Sequence, residues 1–268
     1  MSVITISRGS YSKGKKIAEK IAQKLGYECI SRDILIDASE YFNVPEIKLI
    51  RALHDAPSIF NRFHYGKEKY ISYIREALLN HVQKDNVVYH GLAGHFFLQD
   101  VPHVLKVRII ADLEYRIKEE MKRENISEKD ARYILKKDDD ERRKWGLYLY
   151  GKDTADSSLY DIVLHIDNLK ADDAVDILID AVKRPCFQTT TESKMILNDL
   201  YSAASAKAKI IDEFPLADVS SKNGTVYISV KASISQTNGT SNTLNELFKD
   251  FNDAKEVKIE VLPFVTDD

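Results

Sequence analysis

Cysteine is scarce in this chain. Cys29 and Cys186 are the only two among 268 residues, far apart and in no CxxC or metal-ligand spacing. That excludes a disulfide framework and argues against a zinc site; both are expected to be reduced packing residues. Long apolar runs are also missing. No stretch reaches the roughly 18 apolar residues of a membrane span, and the opening MSVITISRGS has no basic region ahead of a long apolar one, so a cytoplasmic protein is the expectation. Charge of one sign is lacking too: 39 Lys and Arg against 42 Asp and Glu leave a formal charge of -3. A global attraction to nucleic acid or anionic lipid is thereby excluded, and any basic site must be local. What is present is an ordinary globular balance, 44% hydrophobic and 30% charged, in a chain long enough for two domains.

Residues 3–6 are a short β-branched run, followed by Gly9 and Gly14 and then by Ile17, Ala18, Ile21, Ala22 and Leu25 at helical spacing. The order is strand, glycine loop, helix, with Gly26 as the stop. Further strands are expected at 27–30, 86–89, 105–111 and 160–166, with helical patterns at 67–83, 112–123 and 172–183 between them. Apolar strands alternating with helices predict an α/β fold with a parallel sheet between helical layers. Near Pro185 the texture changes to PCFQTTTES, turn-prone and hydroxylated. The expected division is a domain at 1–185, a linker at 186–192 and a small α+β domain at 193–268. The latter reads as a helix over 194–214, strands at 218–221 and 225–231 around Asn223-Gly224, a Ser/Asn/Gly-rich loop, a helix over 243–251 and a strand at 257–262.

Gly9-Ser10-Tyr11-Ser12-Lys13-Gly14-Lys15 matches G-x-x-x-x-G-K directly after the first strand and before a helix. Glycines let the backbone aim its N–H groups into one concavity, the helix adds its positive end, and Lys15 is placed to reach the outer phosphates. The plain alternative is a turn ahead of a surface helix with solvated lysines; the placement favours the cradle. Lys16 stands where a serine or threonine hydroxyl would meet magnesium, and an ammonium repels a cation. Either the metal is held by the nucleotide's phosphates, water and more distant groups, or Lys16 carries part of its charge. Ser10 and Ser12 are nearby hydroxyls able to serve phosphate or metal.

Ile4-Thr5-Ile6-Ser7-Arg8, the loop, Ile17-Ala18 through Leu25-Gly26, LEYRI at 113–117 and GKDTADSSLYDIVLHID at 151–167 together resemble the cytidylate kinase-like family of P-loop proteins, over residues 2–183. The resemblance implies a P-loop NTPase three-layer sandwich with a five-stranded parallel sheet. It also implies ATP as cofactor, Mg2+ with altered protein contacts, and a helical lid at 136–150. Arg142 and Arg143 are the lid arginines it suggests, and with Lys15 they are the candidate catalytic residues. A guanidinium fork suits a phosphoryl group in transit; the bland reading is a solvated helix with Asp139–Arg143 and Asp138–Arg142 pairs. On the acceptor side the family's aspartate is replaced by Ser31, followed by Arg32 and Asp33, and its GRG by Gly91-Leu92-Ala93. Asp33, Arg32, His90 and Gly91 are the candidate substrate contacts. His90 also stands where a Walker-B acid would end the third strand. His54, His95, Arg51, Arg62, His64 and Lys67 are weaker candidates, and no metal-ligating residue is assigned.

The C-terminal unit resembles a BON domain, a small α+β module suspected of binding lipids or other ligands, through its Ala-rich helix, the VSSKNGTVYISV hairpin and AKEVKIEVLP. Two functions follow. One is an ATP-binding phosphotransferase acting on a nucleotide or other small acceptor. The other is a catalytically weak nucleotide sensor that signals through the C-terminal domain to a lipid, ligand or protein partner. No nucleic-acid partner is expected, and a homo-oligomer is left open.

Overall fold

The computed structural model describes residues 1–9, 12–31, 33–54, 65–91 and 93–264. Ser10, Tyr11, Arg32, Arg62, His64 and Leu92 lie outside them, as do the side chains of His54 and Lys67.

Five strands form one parallel sheet: β1 (Val3–Arg8), β2 (Glu28–Ile30), β3 (Val87–His90), β4 (Val104–Ile110) and β5 (Ile162–His165), in the order β2-β3-β1-β4-β5. Alternation along the strands explains the layers. Ile4, Ile6, Val88, Leu105, Val107 and Ile109 face α1 (Gly14–Leu25) and α8 (Ala171–Val182), where they meet Ile17, Ile21, Ala174 and Leu178. Val3, Val87, Tyr89 and Val104 point the other way, into a cluster shared with α2 (Asp33–Tyr41), α3 (Glu46–His54), α4 (Tyr65–Val82) and the short α5 (Gly94–Phe97). A strand buried on both faces can be apolar throughout, which is why these runs looked continuous in sequence. Each fully buried aliphatic side chain contributes about 1.5–3 kcal/mol, so a polar residue at Ile6 or Val107 would damage the sheet at its centre.

The remaining helices, α6 (Leu113–Glu124) and the long α7 (Glu128–Tyr150), lie over the C-terminal end of the sheet. Ser127 caps α7 by accepting from the Asp130 N–H, and Gly151 ends it at φ 63°. Among the described residues no helix is long and apolar enough to cross a membrane.

Beyond the sheet come α9 (Thr191–Ile210), β6 (Asp218–Lys222), β7 (Thr225–Ser233), α10 (Thr237–Phe248) and β8 (Glu256–Phe264). β6 and β7 are antiparallel around Asn223 and Gly224, at φ 56° and 85°, the left-handed pair a tight hairpin requires; β8 joins β7 in parallel. Val226, Ile228 and Val230 pack with Ile210, Leu244 and Phe248. Two expectations are corrected here. The Ser/Asn/Gly-rich loop is the first half of α10, and α9 ends at Ile210 rather than 214. The expected boundary at 193 falls inside the first turn of α9, whose Leu197, Ala204 and Ala208 pack with α4 while Ala206 and Ile210 face the second sheet.

Candidate phosphate cleft and acceptor cavity

The glycine loop leaves the end of β1 and turns into α1. Lys13 takes a left-handed conformation, φ 65°, immediately before the helix. Gly14 follows where the backbone runs against Arg8: an added Cβ would lie 3.0 Å from the Arg8 Cβ and Cδ. Glycine is needed here for close approach of helix start and strand end. The first N–H groups of α1 have no intrahelical acceptors, which makes this end anion-seeking.

Arg8, Lys13, Lys15, Lys16, Lys122, Arg123, Lys137 and Arg142 line an open cleft of about 1080 Å³, with Glu19, Glu119, Glu120, Asp138 and Glu141 among its other walls. The Lys15 Nζ lies 3.7 Å from Glu19 on its own helix, an exposed pair that contributes little and yields readily to a stronger anion. The Lys13 Nζ leans toward α6, 3.7 Å from Glu119 and 5.0 Å from the centre of the Tyr115 ring. Ser12 corrects one expectation. It is fully buried, and its hydroxyl is turned into the protein to donate to the carbonyls of Ile109 at 2.8 Å and Gly9 at 3.0 Å. That hydroxyl is committed to holding the loop, not turned toward phosphate or metal.

A second cavity, about 460 Å³, lies at the C-terminal edge of the sheet, within the range of small-molecule sites. Its walls include Gly9 from the loop, Ser31, Ile34 and Leu35 after β2, His90 and Gly91 after β3, His95, Arg108 from β4, Arg116 from α6, and Arg142, Arg143 and Trp145 from α7. Arg8 and Arg142 line both the cleft and the cavity. The Arg142 Nη1 donates to the Arg8 carbonyl at 2.9 Å, tying α7 to the end of β1. Arg143 pairs with Asp153 at 2.7 Å, and Arg116 with Asp139 at 2.7 Å. The Asp139–Arg143 pairing of the bland alternative, a solvated helix, is thus replaced by ion pairs to neighbouring segments.

His90 is 6% exposed on the α1 side of the sheet, and burial followed by the positive Arg8 lowers its pKa to about 4. His95, on α5, is lowered to about 3 by burial and then by Arg108. Both imidazoles are neutral at pH 7, and the Nδ1 of each is buried without a recorded partner among the described residues. The Tyr160 hydroxyl gathers the opposite wall: it donates to the Thr154 carbonyl at 2.9 Å or to Ser7 Oγ at 3.2 Å, and lies 3.3 Å from both His95 Nε2 and Arg108 Nη1.

Of the candidate residues, the structure gathers Lys13, Lys15 and Lys16 with Arg142 around the cleft, and Gly9, His90, Gly91 and Arg143, again with Arg142, around the cavity. Asp33 is not brought to the cavity. It is exposed, and its Oδ2 accepts from the Ser31 N–H at 3.3 Å. Gly91 is packed against Tyr89, whose ring Cζ would lie 2.6 Å from an added Cβ. Arg108, Arg116 and His95 are among the other residues lining the cavity, with the Tyr160 hydroxyl against Arg108 and His95 behind them. Arg116 and Tyr160 stood inside quoted motifs, but nothing in the apolar run of β4 singled out Arg108.

Residues 3–168 match the model of the cytidylate kinase-like family. A cytidylate kinase of Sulfolobus acidocaldarius is 25% identical over 182 residues, covering 68% of this chain and 94% of that protein. One of Methanosarcina acetivorans is 36% identical over 110 residues, covering 39% of this chain and 60% of that protein. Among solved structures, an uncharacterized protein from Eubacterium ventriosum aligns with a TM-score of 0.52 at 20% identity, over 69% of this chain and 100% of that one, a likeness of fold.

Proposed function

The chain belongs to the cytidylate kinase-like family, and from that premise we propose that it transfers the γ-phosphoryl group of ATP to a nucleotide or other small acceptor held in the 460 Å³ cavity. The observation that carries this reading is the shared wall. Arg8 and Arg142 border both the basic cleft and the cavity, so a group passing from one to the other passes between two guanidinium-bearing residues. ATP, when bound, supplies the transferred group. The N–H groups at the start of α1 and the Lys15 ammonium hold the outer phosphates, and Arg142, Arg143 and Arg116 face the charge spread over the transferring oxygens. In-line positioning, with no covalent step on the protein, supplies the rate.

The described residues do not fit a protein-held magnesium site. Lys16 replaces the hydroxyl, Ser12 is turned inward, and no group of three or more acidic, histidine or cysteine residues able to hold a metal is found among the described residues. A metal that accompanies the nucleotide would take its ligands from phosphate and water.

A coupled assay across nucleoside monophosphates tests the reading, with Lys15→Ala as the control expected to lose about 10²–10³-fold in turnover, the usual loss for one preorganised charge-stabilising donor. Tight ATP binding with no turnover on any acceptor would overturn it. The second reading, a nucleotide sensor, is favoured by the same lack of a metal-ligand set and by the docking of α9 on α4. Titration calorimetry separates the two, since metal-independent binding without turnover belongs to the sensor. For the C-terminal unit, the helix, hairpin and final strand support the BON-like reading as a proposal, with a lipid, ligand or protein as its partner.

A further inference from the structure

Independently of the phosphotransferase reading, we propose that the free edge of β8 pairs antiparallel with the same edge of a second copy of this chain, joining two three-stranded sheets across a two-fold axis. The edges of the two sheets differ in length. β2 and β5 bound the first sheet with three and four residues, and β6 bounds one side of the second with five. On the other side β8 runs for nine residues, and among the described residues β7 is its one neighbour. Short edges are an ordinary protection against pairing, whereas a long row of unpaired N–H and C=O groups is a template for another strand. The core also runs out to this edge. Val226, Ile228 and Val230 of β7 are buried, but Val257, Ile259 and Val261, their register partners on β8 and members of the same cluster, are only partly covered.

The order of charges along β8 is what selects a second copy as the occupant. Glu256, Lys258 and Glu260 alternate on its exposed face. A two-fold axis at Ile259 sets Lys258 against the partner's Glu260 and Glu260 against the partner's Lys258, two ion pairs from one symmetry operation. On the inner face the same register sets Val257 against the partner's Val261, which covers the half-exposed row. The adjacent registers that keep the faces matched do the opposite. An axis at Lys258 sets that lysine on itself and Glu256 on the partner's Glu260, and an axis at Glu260 sets that glutamate on itself, so each brings like charges together. Pro263, which has no N–H to give, falls opposite Lys255, one residue before the strand starts, and so lies outside the paired span. The Lys258 Nζ lies 3.5 Å from Glu256 on its own strand, an exposed pair that contributes little and is readily exchanged for one across the axis. Main-chain hydrogen bonds between the two edges supply affinity, and the charge order supplies the register.

Sedimentation equilibrium of the full chain tests this. The wild type is expected to be a dimer at about 100 μM, as a dissociation constant in the micromolar range requires. Lys258→Glu and Glu260→Lys each turn two attractive pairs into two repulsive ones, and each is expected to weaken self-association about 10–100-fold. Mixed in equal amounts, the two variants regain it. One chain then carries glutamate at both positions and the other lysine at both, so every facing pair is again complementary. The double variant, with both changes on one chain, self-associates as the wild type does. These recoveries separate a lost pair from a variant that fails to fold. A wild type that stays monomeric overturns the proposal and leaves the edge to a foreign strand. A dimer indifferent to both substitutions places the interface elsewhere and overturns it as well, and so do two monomeric variants whose mixture stays monomeric.

Discussion

His90 ends β3 beside the phosphate loop, and its chemistry is the reverse of an acid's. With its pKa lowered to about 4 it is neutral at pH 7, so it neither holds a cation as a carboxylate does nor adds to the positive field of Lys15 and Lys16. An imidazole in the unfolded chain titrates near 6.5. Between about pH 6.5 and 4 the unfolded chain therefore binds more protons than the folded one, and the contribution of His90 to stability, present above 6.5, is lost as pH falls through that window. On this basis His90→Asn is expected to remove on the order of 2 kcal/mol of acid sensitivity between pH 7 and 5. Urea unfolding of both proteins at pH 7, 6 and 5 measures the difference, and a wild-type His90 ring resonance titrating near 6.5 would sink the argument. Lys16 acts at the same scale. It makes the cleft more basic on the helix face where a hydroxyl could have met a metal, while Ser12, the described hydroxyl of the loop, is spent on the Ile109 carbonyl.

The element that joins cleft and cavity is α7, and its packing rests on a glycine. A Cβ at Gly146 would lie 2.8 Å from the Lys152 carbonyl and 2.9 Å from the Thr154 methyl. Those residues flank Asp153, which holds Arg143, and Thr154 also accepts from Tyr160. Alanine normally stabilises a helix interior by about 1 kcal/mol over glycine. Here the sign should reverse: Gly146→Ala is expected to cost about 1–3 kcal/mol by overpacking, and thermal unfolding checks it. A raised melting temperature would contradict the packing described. The same helix shows what could be read beforehand. Its second half, 136–150 with Arg142 and Arg143, was singled out by the family resemblance, and the strand-helix alternation of the sheet followed from hydrophobic period. Pairing did not, because Asp139 meets Arg116 on another helix rather than Arg143 one turn along. Nor did α10, whose TNGTSN start is made of poor helix formers. Leu244 and Phe248 bury against β7, and tertiary packing overrides the local preference. Arg108 was hidden for a related reason: one cation inside an apolar strand gives no periodic signal, and only the fold brings it beside Tyr160.

At the scale of the whole chain, the two sheets are coupled through α9 lying on α4. Leu197, Ala204 and Ala208 share a cluster with Ile74 and Leu78, and the Tyr73 hydroxyl donates to Asp212 at 3.3 Å. Within this contact Glu76 is 6% exposed, and burial, aided by the negative Asp253, raises its pKa to about 7. An unfolded glutamate titrates near 4.3, so between roughly pH 4.3 and 7 the folded chain is the better proton binder. Stability is therefore lost as pH rises through that interval, the opposite slope to that of His90, and only differences between variants isolate either residue. Glu76→Gln keeps the size and removes the titration. It is expected to match wild type near pH 5 and to exceed it by about 2–3 kcal/mol near pH 8, read from urea unfolding through the buried Trp145 of α7. Equal stabilities at pH 8 would mean that Glu76 does not carry the cost of this docking. The position gives the result a functional edge. Ile74, two residues earlier on α4, lines the cavity proposed for the acceptor, so a charge that loosens α9 from α4 acts on a helix that also shapes that cavity. Acceptor KM is accordingly expected to vary with pH between 6 and 8 in wild type and to lose that dependence in Glu76→Gln, while the affinity for an ATP analogue, proposed to bind at the start of α1, stays level.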